Sequence, residues 1–398
     1  MRTIRITRTA RLPDPIRISR FRKAPELGPA ILFFSGGTAL KGVSRILKNY
    51  TFNSVHLVTP FDSGGSSAKL RHAFRMPAIG DLRSRLMTLA DETITGHPDV
   101  YRLFTYRFPA DGPRPQLQQR LAAMVKGKEP MVARIPNPMR RLIRTQLGYF
   151  QEAMPKGFVL AGASIGNLIL TGGYLNNHKH LDPIIFLFSK LVNVQGVVRA
   201  VVNNDLHLGA DLEDGHRVVG QHLLTGKEAP PLKSPIRRLF LCDDNGELPP
   251  SGMPTIRKKT RRLIEKADLI CFPPGSYYSS LIAQFLPRGV GAAVAANDNP
   301  KIYVPGLGTD PEQIGMTLDQ TILKLLEQLR KDTGQDCPTQ RLMNFILMDS
   351  KHGNYSSPLN RQITESLGIQ IIDTDLVTPG SPNRYNPEWL AAALLSLC

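Results

Sequence analysis

Several short apolar runs in this chain end in a turn of glycine and serine, and a helical pattern follows the turn. The first run, residues 30–34, leads through SGGT into a predicted helix at 39–48. A second run, residues 55–58, ends at the sequence FDSGGSS. This order of strand, glycine turn, helix and strand is typical of a βαβ unit. It predicts an α/β protein with a doubly wound, Rossmann-like parallel sheet.

The rest of the chain continues this alternation. Further strands are predicted at 269–272, 302–304, 345–348 and 369–372, with helices at 278–286 and 311–331. Residues 96–155 are rich in Arg, Pro and Gln, which indicates a helical insertion. Residues 192–226 alternate apolar and polar side chains around a turn, which predicts a small antiparallel β subdomain, and the Pro-rich residues 227–235 are predicted to be a linker.

The charge of the chain is strongly positive, +17 over 398 residues. Eight of the first 23 residues are Arg or Lys, against the single acid Asp14. Residues 1–27 lack sustained periodicity, so we expect a basic extension, mobile or draped over one α/β domain at 28–398. Basic stripes can bind nucleic acid. Aromatic residues make up only 7% of the chain and no binding module is visible, so a solvated basic face or steering of an anionic substrate is the preferred interpretation.

Cysteine spacing and hydropathy bear on the compartment. The four cysteines lie far apart, without CxxC or Cys/His spacing, which favours a reduced cytoplasm and no zinc site. The Arg-rich start has no apolar core segment, so we do not expect a secretory signal. No apolar run approaches the roughly 20 residues of a membrane helix, so no membrane span is predicted.

The segment 61–91 holds the densest set of candidate site residues. It combines the carboxylate of Asp62, a small-residue turn and Arg71, and the sequence GDLR then adds Asp81. Glycine allows close backbone approach, and amides at a helix start suit a phosphate. Carboxylates cannot serve a phosphate in that way, so they indicate a bound Mg²⁺ or a hydroxyl acceptor. Asp-Ser-Gly-Gly-Ser is also a common surface turn, and the local sequence leaves both interpretations open.

Other candidates also follow predicted strands, where ligands of open α/β sheets bind. The candidate residues for binding phosphate or nucleotide are Gly36, Gly37, Thr38, Ser66, Ser67, Arg71, Asn167, Gly275, Ser276 and Tyr278. Asn167 either contacts a base or sugar hydroxyl or caps a helix. Tyr278 either stacks on a base or packs in the core, and we expect one of Tyr277 and Tyr278 to be buried. His56, inside a strand pattern, is predicted to be a packed core histidine.

Six motifs together resemble those of the CofD-like superfamily. They are SGGTAL (35–40), FDSGGSSAKLR (61–71), IGDLR (79–83), GNLIL (166–170), ADLEDGHRVVG (210–220) and ADLICFPPGSYYSS (267–280). One branch contains 2-phospho-lactate transferases, which attach a phospholactyl group from a guanosine diphosphate donor to a deazaflavin alcohol. Another branch contains YvcK-type proteins, which bind UDP-sugars and regulate carbon flux and cell-wall synthesis. The DSGGSS and PGSYYSS segments are closer to the second branch, although Thr38-Ala39 replaces its usual Thr-Gly.

The resemblance implies roles for these residues. Asp62 and Asp81 would be catalytic carboxylates that also bind Mg²⁺, and the glycine loops would face the phosphates of a nucleotide-linked ligand. Asn167 and Tyr278 would contact the nucleoside or sugar. The implied function is transfer of a phospho-linked group from a nucleoside-diphosphate donor to a hydroxyl acceptor. The alternative is a non-catalytic, regulatory protein that binds a nucleotide sugar. We also expect a homo-oligomer, a dimer.

Overall fold

The computed structural model describes residues 9–36, 38–249 and 251–398, and all the strands and helices below lie there. The strands are β1 (Ile31–Ser35), β2 (Val55–Val58), β3 (Val197–Ala200), β4 (His207–Leu212), β5 (Arg217–Val219), β6 (Ile236–Cys242), β7 (Leu269–Phe272), β8 (Lys301–Tyr303), β9 (Phe345–Met348) and β10 (Gln370–Asp373). Seven of them form a parallel sheet in the order β10-β9-β8-β7-β1-β2-β3. The remaining three form an antiparallel sheet in the order β5-β4-β6.

Some helices cover the parallel sheet, and others pack against one another in a separate helical cluster beside it. They are α1 (Pro15–Lys23), α2 (Lys41–Leu47), α3 (Gly65–Phe74), α4 (Gly80–Leu89), α5 (Pro98–Thr105), α6 (Arg114–Lys126), α7 (Pro130–Ala133), α8 (Met139–Ala153), α9 (Ile165–Asn176), α10 (Leu181–Leu191), α11 (Gln221–Leu224), α12 (Lys258–Glu265), α13 (Val290–Ala296), α14 (Leu318–Arg330), α15 (Thr339–Leu342), α16 (Arg361–Ser366) and α17 (Pro387–Ser396). Within the described residues, no helix has the length and apolarity that a membrane crossing requires.

Strand β1 is buried on both faces, as a parallel sheet covered by helices requires. Leu32 and Phe34 join a core that includes side chains of α13 and α14. Ile31 and Phe33 point to the opposite face and pack with α2 and α17. Helices therefore lie on both faces, which confirms the predicted α/β, doubly wound class.

Most strand positions agree closely with the sequence patterns, but two predicted helices differ. Residues Tyr277–Leu281 and Ile282–Phe285 form a π turn and a 3₁₀ turn rather than an α-helix. The helix predicted from residue 311 begins only at Leu318. A left-handed Gly315 (φ +68°) precedes it, and Thr317 caps it in a capping box with Gln320.

The small β subdomain does not coincide with the predicted residues 192–226. Strand β3 pairs in parallel with β2, from Val55 opposite Val197 to Val58 opposite Ala200, and so belongs to the main sheet. Strand β6, beyond the predicted linker, instead completes the antiparallel sheet with β4. Alternation of apolar and polar residues identifies a half-buried strand but not the neighbour with which it pairs, so the sequence pattern could not separate these two sheets.

Residues 96–155, predicted as a helical insertion, contain α5 to α8. Their apolar side chains form a second core together with those of α4, α9 and α10. The contact between α8 and α9 is very close, because a Cβ on Gly172 would lie 1.8 Å from the carbonyl oxygen of Gln146. The start of α9 lies beside the start of α3, where the Asn167 amide donates to Ser66 Oγ at 3.4 Å.

The described part of the basic N-terminal stretch, expected to be either mobile or draped over the domain, lies against the domain. Asp14 caps α1 by accepting hydrogen bonds from the amides of Ile16 and Arg17. The helix lies against α17, where the Arg17 guanidinium donates to the Ser396 carbonyl at 3.0 Å. Residues 1–8, which carry three of the arginines, lie outside the described part of the chain.

Buried Gln284 joins the carboxyl ends of the two strands that lead to the sequence-predicted site. Its Nε2 donates to the carbonyl oxygens of Ser35 (2.9 Å) and Leu57 (3.0 Å), and the side chain is fully buried. An unpaired buried acceptor costs roughly 1–3 kcal/mol. We therefore expect Gln284→Leu to lower the free energy of unfolding by about 2–4 kcal/mol in urea titrations.

Gln328 provides a matched control for this prediction. It is also buried, but its Nε2 donates to one carbonyl only, that of Phe285 at 3.1 Å. Its Oε1 accepts from the Nζ of exposed Lys331 at 2.7 Å, and that ammonium can bond to water instead. Gln328→Leu should therefore cost less than Gln284→Leu. An equal or larger loss in the control would show that the bridge between β1 and β2 is not a major constraint.

Candidate functional site

The sequence-predicted loops meet where the order of the parallel sheet changes direction. Strands β1 and β7 are neighbours, but the chain continues from β1 to β2 on one side and from β7 to β8 on the other. The crevice outside the carboxyl ends of such strands is the usual ligand site of this class of sheet. A cavity of about 250 Å³ lies there, the first cavity, and its lining includes Gly36, Thr38, Asp62, Asp81, Gly275 and Ser276.

Asp62 and Asp81 reach the first cavity from two adjacent loops. The Ala78 amide donates to the Pro60 carbonyl at 2.9 Å, which holds the start of α4 beside the end of β2. Asp62 Oδ1 accepts from the Gly64 amide at 3.0 Å. A Cβ on Gly80 would lie 3.4 Å from Asp62 Oδ2, so the second oxygen faces α4. The structure thus brings both predicted carboxylates to one cavity.

Asp81 has a structural role as well. It lies one turn before the buried Arg85 on α4. Burial lowers the pKa of Arg85 to about 10, and the negative charge of Asp81 partly offsets this effect of burial. The Arg85 guanidinium also donates to Ser44 Oγ at 2.7 Å. Asp81 therefore stabilises an internal cation in addition to lining the cavity.

The glycine loop after β1 contacts the turn that follows β7. A Cβ on Gly36 would lie 2.6 Å from Ser280 Cβ, so only glycine fits without movement. Gly36 and Thr38 line the cavity opposite Gly275 and Ser276. Gly37, predicted to bind phosphate with them, lies outside the described residues.

The amides after Ser276 are occupied by carboxylates of the chain itself. Asp310 accepts from the Tyr277 amide at 2.7 Å. Glu312 accepts from the amides of Tyr278 and Ser279, both at 2.8 Å. These three amides, at the start of the turn, are therefore not open to a phosphate in this state, and Gly275 and Ser276 remain as the cavity lining.

Tyr278 lies in the core and not in the cavity lining. Both Tyr277 and Tyr278 are 2% exposed, so both are buried where one was expected. The Tyr278 hydroxyl donates to the Ile236 carbonyl at 3.3 Å, and the Tyr277 hydroxyl donates to that of Thr321 at 2.6 Å. Because both hydroxyls find partners inside the protein, the predicted stacking of Tyr278 on a base is corrected to a packing role.

The predicted site residues of α3 point in different directions. Arg71 is buried and donates to Asp205 Oδ1 at 3.0 Å and to the Leu206 carbonyl at 2.8 Å. It therefore ties α3 to the small sheet and, contrary to the prediction of phosphate binding, does not line the first cavity. Ser67 is buried under Gly80. Ser66 faces a separate cavity, where Asn167 donates to its Oγ at 3.4 Å.

The first cavity is also lined by residues that the sequence did not single out. They follow β5 and are Gln221, His222, Thr225, Lys227 and Glu228. His222 Nδ1 and Ser63 Oγ share a hydrogen bond of 2.8 Å, which ties this segment to the Asp62 loop. Glu228 accepts from the Gly65 amide at 3.1 Å, at the N-terminus of α3. The stretch 227–235 was interpreted as a linker, and no local pattern separates a linker from a cover.

The charge on this cavity is mainly negative. Asp62, Asp81 and Glu228 line it, and Lys227 is the one lysine among the described lining residues. Among the described residues, one group of three metal-type ligands converges, and it lies elsewhere, at Asp349, His352 and Asp375. Asp349 accepts from four backbone amides, two at each oxygen, so it serves as a loop anchor. The first cavity can thus offer a metal ion a pair of carboxylates.

Comparison with known proteins assigns the family. Residues 31–377 match the profile of the family described as 2-phospho-L-lactate transferase CofD, which is most of the chain. The chain belongs to the CofD family. This CofD-family chain is also 26% identical to a gluconeogenesis factor of Bacillus subtilis, over 93% of this chain and 98% of the relative. It is likewise 26% identical to a gluconeogenesis factor of Listeria monocytogenes, over 94% and 96%.

A solved structure shows the same fold. A member of the UPF0052 family from Bacillus halodurans superposes with a TM-score of 0.64, at 23% identity, over 92% of this chain and 99% of that protein. At this identity the likeness supports the fold of the CofD-family chain and not a shared activity.

Buried Glu312 makes stability depend on pH. Burial, and then the neighbouring Asp310, raise the pKa of Glu312 from its ordinary 4.5 to about 7. The folded state therefore holds a proton that the unfolded chain releases between these values. The free energy of unfolding should fall as the pH rises from 4.5 through 7, by on the order of 2–3 kcal/mol.

Glu312→Gln tests this prediction, because glutamine keeps an acceptor oxygen for the two amides and cannot ionise. Urea midpoints at pH 5 and pH 8 should differ clearly for the wild type and much less for the variant. Identical pH dependence in both proteins would contradict a protonated Glu312 in the folded state.

Proposed function

We propose that the first cavity binds a nucleoside-diphosphate-linked ligand and that the protein transfers a phospho-linked group from it to a hydroxyl acceptor. The observation that carries this proposal is that Asp62 and Asp81 line one cavity with Gly36 and Gly275 at the switch point of the sheet. Glycine at these positions lets a diphosphate approach the backbone. Membership of the CofD family supports the same chemistry.

A divalent cation fits the donor set of this cavity. Mg²⁺ prefers oxygen ligands and commonly binds one or two carboxylates together with substrate phosphates. Asp62 and Asp81 would supply the carboxylates. Since the lining is mainly acidic, a bare diphosphate would be repelled. When bound, Mg²⁺ would neutralise charge on the diphosphate.

The transfer needs no covalent intermediate on the protein. The acceptor oxygen forms a bond to the phosphorus of the transferred phospho-linked group, and the bond from that phosphorus to the oxygen that bridges the diphosphate breaks. The acceptor proton passes to the carboxylate of Asp62 or Asp81, and a nucleoside monophosphate leaves. Orientation of the acceptor by these carboxylates would provide most of the catalysis.

A second candidate function is a non-catalytic, regulatory protein that binds a nucleotide sugar such as a UDP-sugar. The Bacillus and Listeria relatives are named gluconeogenesis factors, and this name favours the second function because it describes no transfer reaction. Both functions use the first cavity, and they differ in turnover. A cytoplasmic location and a homodimer stay predictions under either of them.

Binding is tested by a thermal-shift screen of UDP-sugars, GDP-linked compounds and deazaflavins, with Mg²⁺ or with EDTA. We expect a nucleotide-linked compound to raise the melting temperature, because a ligand of the folded state stabilises it. The shift should require Mg²⁺. Asp62→Asn should reduce it and should leave the melting temperature without ligand nearly unchanged, because a loop carboxylate contributes little packing.

Asp99→Asn is the control, because it removes one carboxylate from an exposed ion pair with Arg102 on α5, outside the first-cavity lining. It should keep the full shift. Equal shifts in both variants, or shifts that survive EDTA unchanged, would count against a metal-assisted site at Asp62.

Turnover separates the two functions. The nucleotide that binds is incubated with hydroxyl acceptors, the deazaflavin alcohol among them, and release of nucleoside monophosphate is followed by ³¹P NMR. The transferase predicts release that depends on an acceptor and is lost in Asp62→Asn. Tight binding without release across the acceptor set would favour the regulatory protein.

A further inference from the structure

A separate cavity of about 220 Å³, the second cavity, lies beside the start of α3. Its lining includes Ser66, Lys69, Arg107, Phe158, Ser164 and Asn167. Gly64 lines the first cavity, whereas Gly65 and Ser66 line the second, so the first turn of α3 separates the two. The second cavity also lies at the start of α9, since Ser164 is the residue before that helix.

Two buried polar side chains in this lining lack partners among the described residues. Ser164 and Asn167 are each 1% exposed. Ser164 Oγ and Asn167 Oδ1 accept and donate no hydrogen bond there, and the other end of the Asn167 amide makes only the long contact to Ser66. Burying such groups without partners costs free energy. Because both residues line the cavity, a polar group that enters it would supply the missing partners.

The charge of the second cavity is opposite to that of the first. Lys69 and Arg107 are exposed at its rim, and no carboxylate belongs to its lining. Arg107 donates to the Gly162 carbonyl at 2.7 Å, which holds the guanidinium at the mouth. Among the described residues, no carboxylate lies within ion-pair distance of Arg107.

A third cation lies directly behind this site. The Arg83 side chain approaches the first turn of α9, since a Cβ on Gly166 would lie 2.8 Å from its Cδ. Its Nε is buried without a partner among the described residues. Arg107 reaches the same helix start from another part of the chain, since it forms a β-bridge with Ser164, the residue before α9. Two guanidinium groups that repel each other would both be stabilised by an anion between them.

We propose that the second cavity is a binding site for a small organic anion, a carboxylate or a phosphate with a short apolar part. Arg107 and Lys69 would pair with the anion, and the amides at the starts of α3 and α9 would add a favourable dipole. Ser164 and Asn167 would hydrogen-bond to its polar substituents. Phe158 and Leu168 provide an apolar wall for the remainder. This anion is distinct from the diphosphate proposed for the first cavity.

The test is a titration of the full chain with inorganic phosphate and, separately, with propionate, at constant ionic strength. Melting temperature and isothermal titration calorimetry report binding. Loss of a charge-assisted hydrogen bond costs about 1.5–3 kcal/mol, roughly a factor of ten or more in affinity. We therefore expect Arg107→Glu to weaken saturable binding of at least one of the two anions about tenfold or more, and Lys69→Glu to weaken it as well.

Two charge-matched controls separate this site from others. Arg141→Glu makes the same charge change at an exposed arginine of α8, and Lys227→Glu makes it in the first cavity. Both variants should bind the anions like the wild type. Propionate binding would assign a carboxylate, and phosphate binding alone would assign a phosphate.

The opposite pattern would overturn the proposal. If Lys227→Glu abolishes binding and Arg107→Glu does not, the anion belongs to the first cavity. Equal weakening by Arg141→Glu and Arg107→Glu would indicate general attraction to a basic protein, and no saturable binding of either anion would also refute the site. These outcomes do not depend on whether the first cavity binds a nucleotide, because the experiment contains none.

Discussion

The pairing of β1 with β2 on one side and β7 on the other is the constraint on which the rest of the structure depends. It reverses the direction in which the chain progresses across the sheet, and so opens a crevice at the carboxyl ends of these strands. The Gln284 side chain reinforces the pairing of β1 with β2, because its Nε2 donates to the carbonyl oxygens of Ser35 in β1 and Leu57 in β2. Every loop of the first cavity takes its position from these strands or from an element packed on them.

The first turn of α3 separates two sites of opposite charge. On one side, Asp62, Asp81 and Glu228 make a cavity that suits a cation-bound diphosphate. On the other, Lys69 and Arg107 make one that suits a bare anion. In this state Glu228 accepts from the Gly65 amide, where a ligand phosphate could otherwise bind.

Local sequence was sufficient for the main elements. Strands β2, β7 and β9 occupy the predicted residues, and His56 is fully buried and stacks on Phe33 with ring centroids 5.1 Å apart, as expected. These predictions succeeded because short apolar runs flanked by small residues have few other solutions in a parallel sheet. Strand β3 was misassigned to the small subdomain, because its partner β2 lies 142 residues earlier along the chain, with Val55 opposite Val197.

The sequence by itself determined the α/β class, the glycine turns and the carboxylates of Asp62 and Asp81 at strand-end loops. Only the tertiary structure decided which groups stay available to a ligand. The Arg71 guanidinium donates to Asp205. The backbone amides of Tyr277, Tyr278 and Ser279 donate to the side chains of Asp310 and Glu312. These partners lie more than 30 residues away along the chain. A hydrogen bond is satisfied by proximity in space, so a local pattern cannot show whether a donor is already occupied.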